Sequence, residues 1–217
     1  MARADISTRY KDVCVLIPTL NEEESIGPVI EEFRAMGFQN ILLADGHSTD
    51  GTVEIARAAG ARIFVQSGSG KGQAMKEVFE VIEENFILLI DGDGTYLPSE
   101  APSLLEPVLE GKAEHVVGNR HGRMQGGALK RLNMFGNKMI NSFFSTIYRV
   151  HLTDILSGYR AFSREGIGRL ELSTPGFEIE SEMTIESVKK GLRIIEVPIT
   201  YRPRPAGTKT KLHPFRD

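Results

Sequence analysis

Residues 87–98 read ILLIDGDGTYLP. Four apolar residues make a short strand buried on both faces, and it stops at two carboxylates one residue apart, Asp91 and Asp93, with Gly92 and Gly94 interleaved. On a flat strand the two acids would point to opposite sides, but the glycines let the backbone leave the pleat just beyond the strand's carboxyl end. Both carboxylates can then face one point. Two ionised carboxylates that close repel each other, and the general remedies are a shared proton or a divalent cation. The pattern favours a hard ion such as Mg2+ or Mn2+, which completes its shell with water and substrate phosphate. The plain alternative is an Asp/Gly turn after a core strand.

Working outward, strands are expected at 13–18, 41–44, 62–65 and 114–118, alternating with helices at about 25–36, 52–59, 73–83 and 102–109. Ser25 is a candidate N-cap for the first helix, and Gly37 and Gly60 are stops. Short connections between alternating strands and helices mean a mainly parallel, Rossmann-like sheet with helices on both faces and right-handed crossovers. Such sheets bind ligands at the carboxyl ends of their strands. Polar residues gather at those ends: Asn21 and Glu22, Asp45 and Asp50, Lys71, Asp91 and Asp93, and Arg120.

The chain has 217 residues, 41% hydrophobic and 25% charged, with a formal net charge of -3. That suits a globular protein with a substantial core. Its single cysteine, Cys14, lies in the apolar run VCVLIP and reads as core filling, consistent with a reducing, cytosolic setting. No apolar stretch approaches the ~20 residues that span a bilayer, and the first residues lack a signal peptide's apolar segment. Charge is unevenly placed. Residues 115–153 hold no acid but include Arg120, Arg123, Lys130, Arg131, Lys138 and Arg149, and residues 189–211 hold only Glu196. A basic second half points to an anionic partner: phosphates, a membrane surface or nucleic acid.

After Gly126 the alternation stops. Leu132, Phe135, Met139, Ile140, Phe143, Phe144 and Ile147 keep helical spacing among basic residues, as a core helix or as a basic amphipathic helix on a membrane interface. A helix is expected at 178–190, a strand at 193–197, and a basic Pro/Gly-rich loop beyond, after which the native chain is open to continuing. No linker divides the chain, so one domain is expected.

Several motifs fail or stay local. GSGKG is not a nucleotide-cradling loop, because Gly72 follows Lys71 where Ser or Thr is required. Lys71 remains a candidate point charge for a phosphate. In ADGHSTDGT, Asp50 reads as an N-cap, Asp45 as the candidate for holding base or ribose, and His47 as a solvated turn residue or a general base.

Taken in order, PTLNEEESI, ADGHSTDGT, GKGQA, DGDGTYLP, GNR, TDILSGYRAF, FEIESEM and EVPITYRPRPAGTK resemble the family 2 glycosyltransferases, most of all the polyprenyl-phosphate, dolichol-phosphate mannose or glucose synthase-like branch. The resemblance runs from about residue 13 to 212. It implies an α/β GT-A fold with a nucleotide-sugar-binding half at about 13–120 and a basic acceptor-binding half at about 121–217, and inverting, metal-dependent chemistry. Pro18, Leu20, Glu22, Asp45 and Lys71 match nucleotide-sugar-binding positions. Asp91, Gly92, Asp93 and Thr95 match the metal and diphosphate segment, with Mg2+ or Mn2+ as cofactor. Arg120, Arg131 and Arg202 match phosphate-facing positions, and Arg160 and Lys209 join them as basic residues for an acceptor phosphate. Asp93, Arg120, Arg131 and Arg202 are the residues expected to carry catalysis. Two departures stand out: the paired Asp of the usual DDGS motif is Asp45-Gly46 here, with His47 at the usual Gly, and Thr95 stands where some members have Gln. Base recognition is left open by them.

The implied partners are a nucleotide-sugar, a polyprenyl or dolichyl phosphate and a membrane surface, with the protein peripheral on the cytoplasmic face through residues 129–149 and no nucleic acid bound. A lipid phosphate is already anionic and needs only basic residues to position it. A hydroxyl acceptor needs a base, for which Asp154, Glu180 and Glu182 are candidates, although Glu182 is equally a candidate ion-pair partner of Arg160. A sugar-1-phosphate nucleotidyltransferase is disfavoured, since no glycine- and arginine-rich loop follows the first strand. A nucleic-acid binder would account for the basic half but not for acids at the strand ends.

Overall fold

A computed structural model describes residues 9–124, 148 and 150–204. The stripe 132–147, the basic residues Arg131 and Lys209, and the loop beyond 204 lie outside the described residues.

The run VCVLIPT forms β1 (Val13–Thr19), whose residues alternate between two cores. Val13, Val15 and Ile17 pack with Ile41, Leu43, Leu88 and Ile90 on one face, and Cys14 and Leu16 pack with Leu42, Ala44, Ile87 and Leu89 on the other. Apolar residues at every position are what a strand covered on both sides requires. Around β1 lie β2 (Asn40–Asp45), β3 (Arg62–Val65) and β4 (Phe86–Leu89), all parallel. The covering helices are α1 (Ile26–Ala35), α2 (Thr52–Ala58), α3 (Lys71–Phe79) and α4 (Ala101–Leu109). Gly37 and Gly60, both at φ +89°, follow the ends of α1 and α2 in the left-handed conformation that glycine adopts without strain.

Beyond β4 the sheet becomes mixed. The strand expected at 114–118 is longer, β5 (His115–Met124), and does not lie against β4. A strand absent from the sequence reading, β6 (Arg160–Ser163), is inserted between them and runs antiparallel to both. After the short α5 (Arg164–Ile167) and α6 (Ile179–Lys189), β7 (Ile194–Tyr201) closes the far edge parallel to β5. The order β3-β2-β1-β4-β6-β5-β7 reverses direction between β1 and β4. That reversal opens a crevice at their carboxyl ends, the place where open sheets of this kind bind ligands. Among the described residues, no helix is long and apolar enough to cross a membrane.

Cys14 is fully buried, and burial pushes its thiol pKa up to about 12. It is core filling, with negligible thiolate to act as a nucleophile.

Candidate active site at the strand ends

The crevice is bounded by the turn after β1, the loop after β2, the first turn of α3 and the loop after β4. Leu20, just past β1, is 39% exposed, while Pro18 is half-buried in the strand. An exposed leucine beside a polar crevice offers an apolar surface to a flat ring. Glu22 is buried, and its backbone N–H donates to Thr52 Oγ1 at 2.8 Å.

Asp45 is 2% exposed, and its carboxylate accepts from the backbone of His47 (3.0 Å) and Ser48 (3.1 Å). Its first task is therefore to fold the loop after β2. His47 occupies the left-handed region at φ +67°, the conformation expected of the glycine it replaces, and its Nε2 lies 3.0 Å from the Gly68 carbonyl oxygen. Asp50 accepts from the Thr52 backbone N–H at 3.1 Å, but the N-cap of α2 is Gly51, with no side-chain cap bond; burial works to raise the Asp50 pKa, and the bonds from Thr52 outweigh it and hold the carboxyl below the usual range.

Lys71, the first residue of α3, reaches into the crevice. Its Nζ lies 2.5 Å from Asp91 Oδ1 and also pairs with Glu180 of α6. Burial opposes the ammonium, but Asp91 and Glu180 outweigh it and hold the lysine well above its ordinary pKa. Two amides at the start of this helix are already used: Gly72 N–H donates to Gly176 O and Gln73 N–H to Pro175 O, each at 3.1 Å. The segment seats a helix against the 174–176 loop.

Asp91 and Asp93 differ in their surroundings. Asp91 is partly open, with Gly158 pressed against it: a Cβ added at Gly158 would stand 2.3 Å from Asp91 Oδ2. Asp93 is 5% exposed. Its Oδ1 accepts from Thr95 N at 3.0 Å and from Thr95 Oγ1 at 2.6 Å, and its Oδ2 lies 2.7 Å from Arg204 Nη2. Thr95 is fully buried and positions Asp93 through these bonds. Gly92 is fixed from below, its carbonyl accepting from Ser25 Oγ at 2.7 Å. Ser25, expected to cap α1, makes no side-chain cap bond there.

The basic residues expected to face a phosphate divide. Arg120 is 7% exposed; its Nε and Nη2 donate to Asp154 at 2.8 and 2.7 Å, and its guanidinium lies over the Tyr201 ring. Arg202 is exposed, and its backbone N–H donates to Thr95 O at 2.9 Å. Arg160 requires a correction. It is fully buried and donates to Ser157 O (2.8 Å), Ile155 O (2.6 Å) and Thr184 Oγ1 (2.8 Å), with Nη1 3.1 Å from His115 Nε2. A phosphate in the crevice cannot reach it, and its task is to hold the 155–157 backbone. The Glu182 to Arg160 pair is likewise replaced: Glu182 accepts from Ser173 and Thr174.

Sequence reasoning missed Arg204, Gly158 and Ser25 at this site. The signal for Arg204 was present in YRPRP, two residues past Arg202. Nothing local marked the other two.

Among the described residues no three His, Cys, Asp or Glu side chains gather as a metal cluster. The carboxylate pair Asp91 and Asp93 still fits a divalent cation of the kind that takes only one or two protein carboxylates and completes its shell with water and phosphate.

A mixed, mostly parallel seven-stranded sheet covered by helices is the architecture of the GT-A fold. Residues 14–170 match the model of glycosyl transferase family 2, and the chain belongs to that family. Glycosyltransferase AglJ of Haloferax volcanii is 50% identical over 206 residues, covering 94% of this chain and 68% of that protein. A dolichyl-phosphate hexose transferase of the same organism is 33% identical over 210 residues, covering 95% of this chain and 89% of that protein. Glucosyl-3-phosphoglycerate synthase from Mycobacterium tuberculosis, solved with Mn2+ and uridine-diphosphate-glucose, superposes with a TM-score of 0.74 at 23% identity, covering 97% of this chain and 78% of that one. That likeness establishes the shared fold.

Proposed function

We propose that this glycosyltransferase moves a sugar from a nucleotide diphosphate donor, held at the ends of β1, β2 and β4, to the phosphate of a polyprenyl lipid. The observation that carries the reading is the fate of the three candidate bases. Asp154 is committed to Arg120, Glu180 to Lys71, and Glu182 to the 173–174 loop. A saccharide hydroxyl needs a base to take its proton, whereas a phosphate arrives already anionic. The relatives' names support the same acceptor class, and the Mn2+ and uridine-diphosphate-glucose complex of the structural neighbour supports the donor side.

In this account an acceptor phosphate oxygen attacks the anomeric carbon from the face opposite the nucleotide. The carbon–oxygen bond to the donor's β-phosphate breaks, the nucleoside diphosphate leaves, and configuration inverts. Asp91 and Asp93 would hold Mg2+ or Mn2+, which supplies charge neutralisation on the diphosphate. Leu20 and the Asp45 loop offer the nucleoside surface, and Lys71 keeps Asp91 in place. Arg120, organised by Asp154, and Arg202 contribute positive potential for the acceptor, with Arg131 and Lys209 proposed to join them. The division at about residue 120 between donor and acceptor halves, and attachment to the membrane's cytoplasmic face through 129–149, belong to the same proposal.

A thermal-shift screen of UDP- and GDP-sugars with and without Mn2+ tests the donor half. The expected result is a metal-dependent shift for one nucleotide class that Asp93→Ala abolishes. No shift for any nucleotide under either condition would sink the reading.

A further inference from the structure

Arg204 lies just past β7 and ties that strand's end to the donor side of the crevice. Its Nη2 is 2.7 Å from Asp93 Oδ2, and its Nη1 is 3.4 Å from Glu22 Oε1. The other acid of the pair, Asp91, is held by Lys71, which Glu180 shares. Each acid of the pair is thus already engaged by a cation, Asp93 by Arg204 and Asp91 by Lys71.

The two cations are not equivalent. The Lys71 side chain is 11% exposed and enclosed by two carboxylates, so moving it strands both acids in a poorly solvated place. The Arg204 side chain is 30% exposed, and its contact with Glu22 is long. Part of the side chain already meets water, and an incoming divalent cation would take over the compensation of buried Asp93 that the guanidinium gives up.

We propose that Arg204 is an exchangeable counter-ion: Asp93 holds it in the empty enzyme, gives it up for a divalent cation, and the released guanidinium then faces the donor's diphosphate. The exchange links β7 to the donor site, because the neighbouring Arg202 N–H is bonded to Thr95 O beside Asp93. It rests on the metal-dependent donor site proposed above and adds the group that competes for it. The signature is a reversal of sign. Removing the guanidinium relieves a competitor for the metal and removes a partner of the diphosphate.

Titration of the full chain with Mn2+ in the absence of donor, read as loss of the free-ion electron paramagnetic resonance signal, compares the wild type with Arg204→Ala and Arg202→Ala. Both variants remove one positive charge, so any long-range effect is shared. The expected result is Mn2+ binding about fivefold tighter in Arg204→Ala and changed less than about twofold in Arg202→Ala. At saturating Mn2+, UDP or GDP, whichever binds the wild type, should bind Arg204→Ala more weakly. Unchanged or weaker Mn2+ affinity in Arg204→Ala, or equal tightening in Arg202→Ala, would overturn the exchange. If the wild type still binds the diphosphate with Mn2+ in that event, the transferase reading stands without it; if neither ligand binds any of the three proteins, both fall.

Discussion

Arg120 and Asp154 meet as a fork on a fork: Nε lies 2.8 Å from Oδ2, Nη2 lies 2.7 Å from Oδ1, and the Arg120 backbone N–H adds a third bond to Oδ2 at 2.9 Å. Asp154 is fully buried. Breaking one side of a buried pair leaves the other charge uncompensated, which typically costs about 3–5 kcal/mol. Asp154→Asn is therefore expected to lose stability of that order in urea unfolding. An intact unfolding midpoint with abolished transfer would instead make Asp154 the catalytic base and favour a hydroxyl acceptor.

Gly158 is the point where β6's entry loop touches Asp91. In Gly158→Ala the new methyl must push Asp91 aside or move the loop, since the Asp91 carboxylate lies 2.3 Å from where it would stand. A misplacement of about 1 Å in a reacting geometry is worth about 100-fold in rate. Transfer is expected to fall by about that factor, with metal-dependent donor binding weakened and a native far-ultraviolet circular dichroism spectrum. Full activity would show that Asp91 has no fixed position to lose.

Arg160 supplies a different contrast. Its loss takes a buried donor from the Ser157 carbonyl and the Thr184 hydroxyl, and an unsatisfied buried group costs about 1–3 kcal/mol. Arg160→Met should unfold at distinctly lower denaturant, and the KM for a lipid phosphate in the remaining folded protein should change little. A selective rise in that KM at undiminished stability would return Arg160 to the acceptor site.

Glu182 gives a pH dependence with a defined sign. Partial burial raises its pKa, but bonds from Ser173 and Thr174 outweigh it and leave the carboxyl below its ordinary value. An acid with a depressed folded pKa contributes stability above its unfolded value, near 4.3, and loses it as pH falls through the folded value. Glu182→Gln should be less stable than the wild type at pH 7, and the gap should close below about pH 4.3. A gap that stays constant from pH 7 to 3 would contradict this.

The β1 to β4 half of the sheet was legible because each strand announces itself locally. The run VCVLI is apolar at every position, the glycines after α1 and α2 mark their ends, and acids follow β2 and β4. The half beyond β4 was not. Four residues, RAFS, carry no pattern that separates a strand from a turn, and β6 is fixed by partners at 86–89 and 115–117 that lie far along the chain. Arginine is normally a surface residue, so nothing local tells that Arg160 is enclosed while Arg202 is exposed. The pairing of Arg120 with Asp154 spans 34 residues, and its consequence, a candidate base already spoken for, exists only in the folded chain.

The central claim is transfer to a lipid phosphate, and one assay meets it directly. The purified full chain is incubated with a labelled nucleotide-sugar of the class that the donor screen identifies, Mn2+ and a polyprenyl phosphate, and the organic phase is counted. The account predicts a labelled, mild-acid-labile lipid that disappears without Mn2+ and with Asp93→Ala. Label that stays in water with the lipid present, and passes instead to an added saccharide, would contradict it.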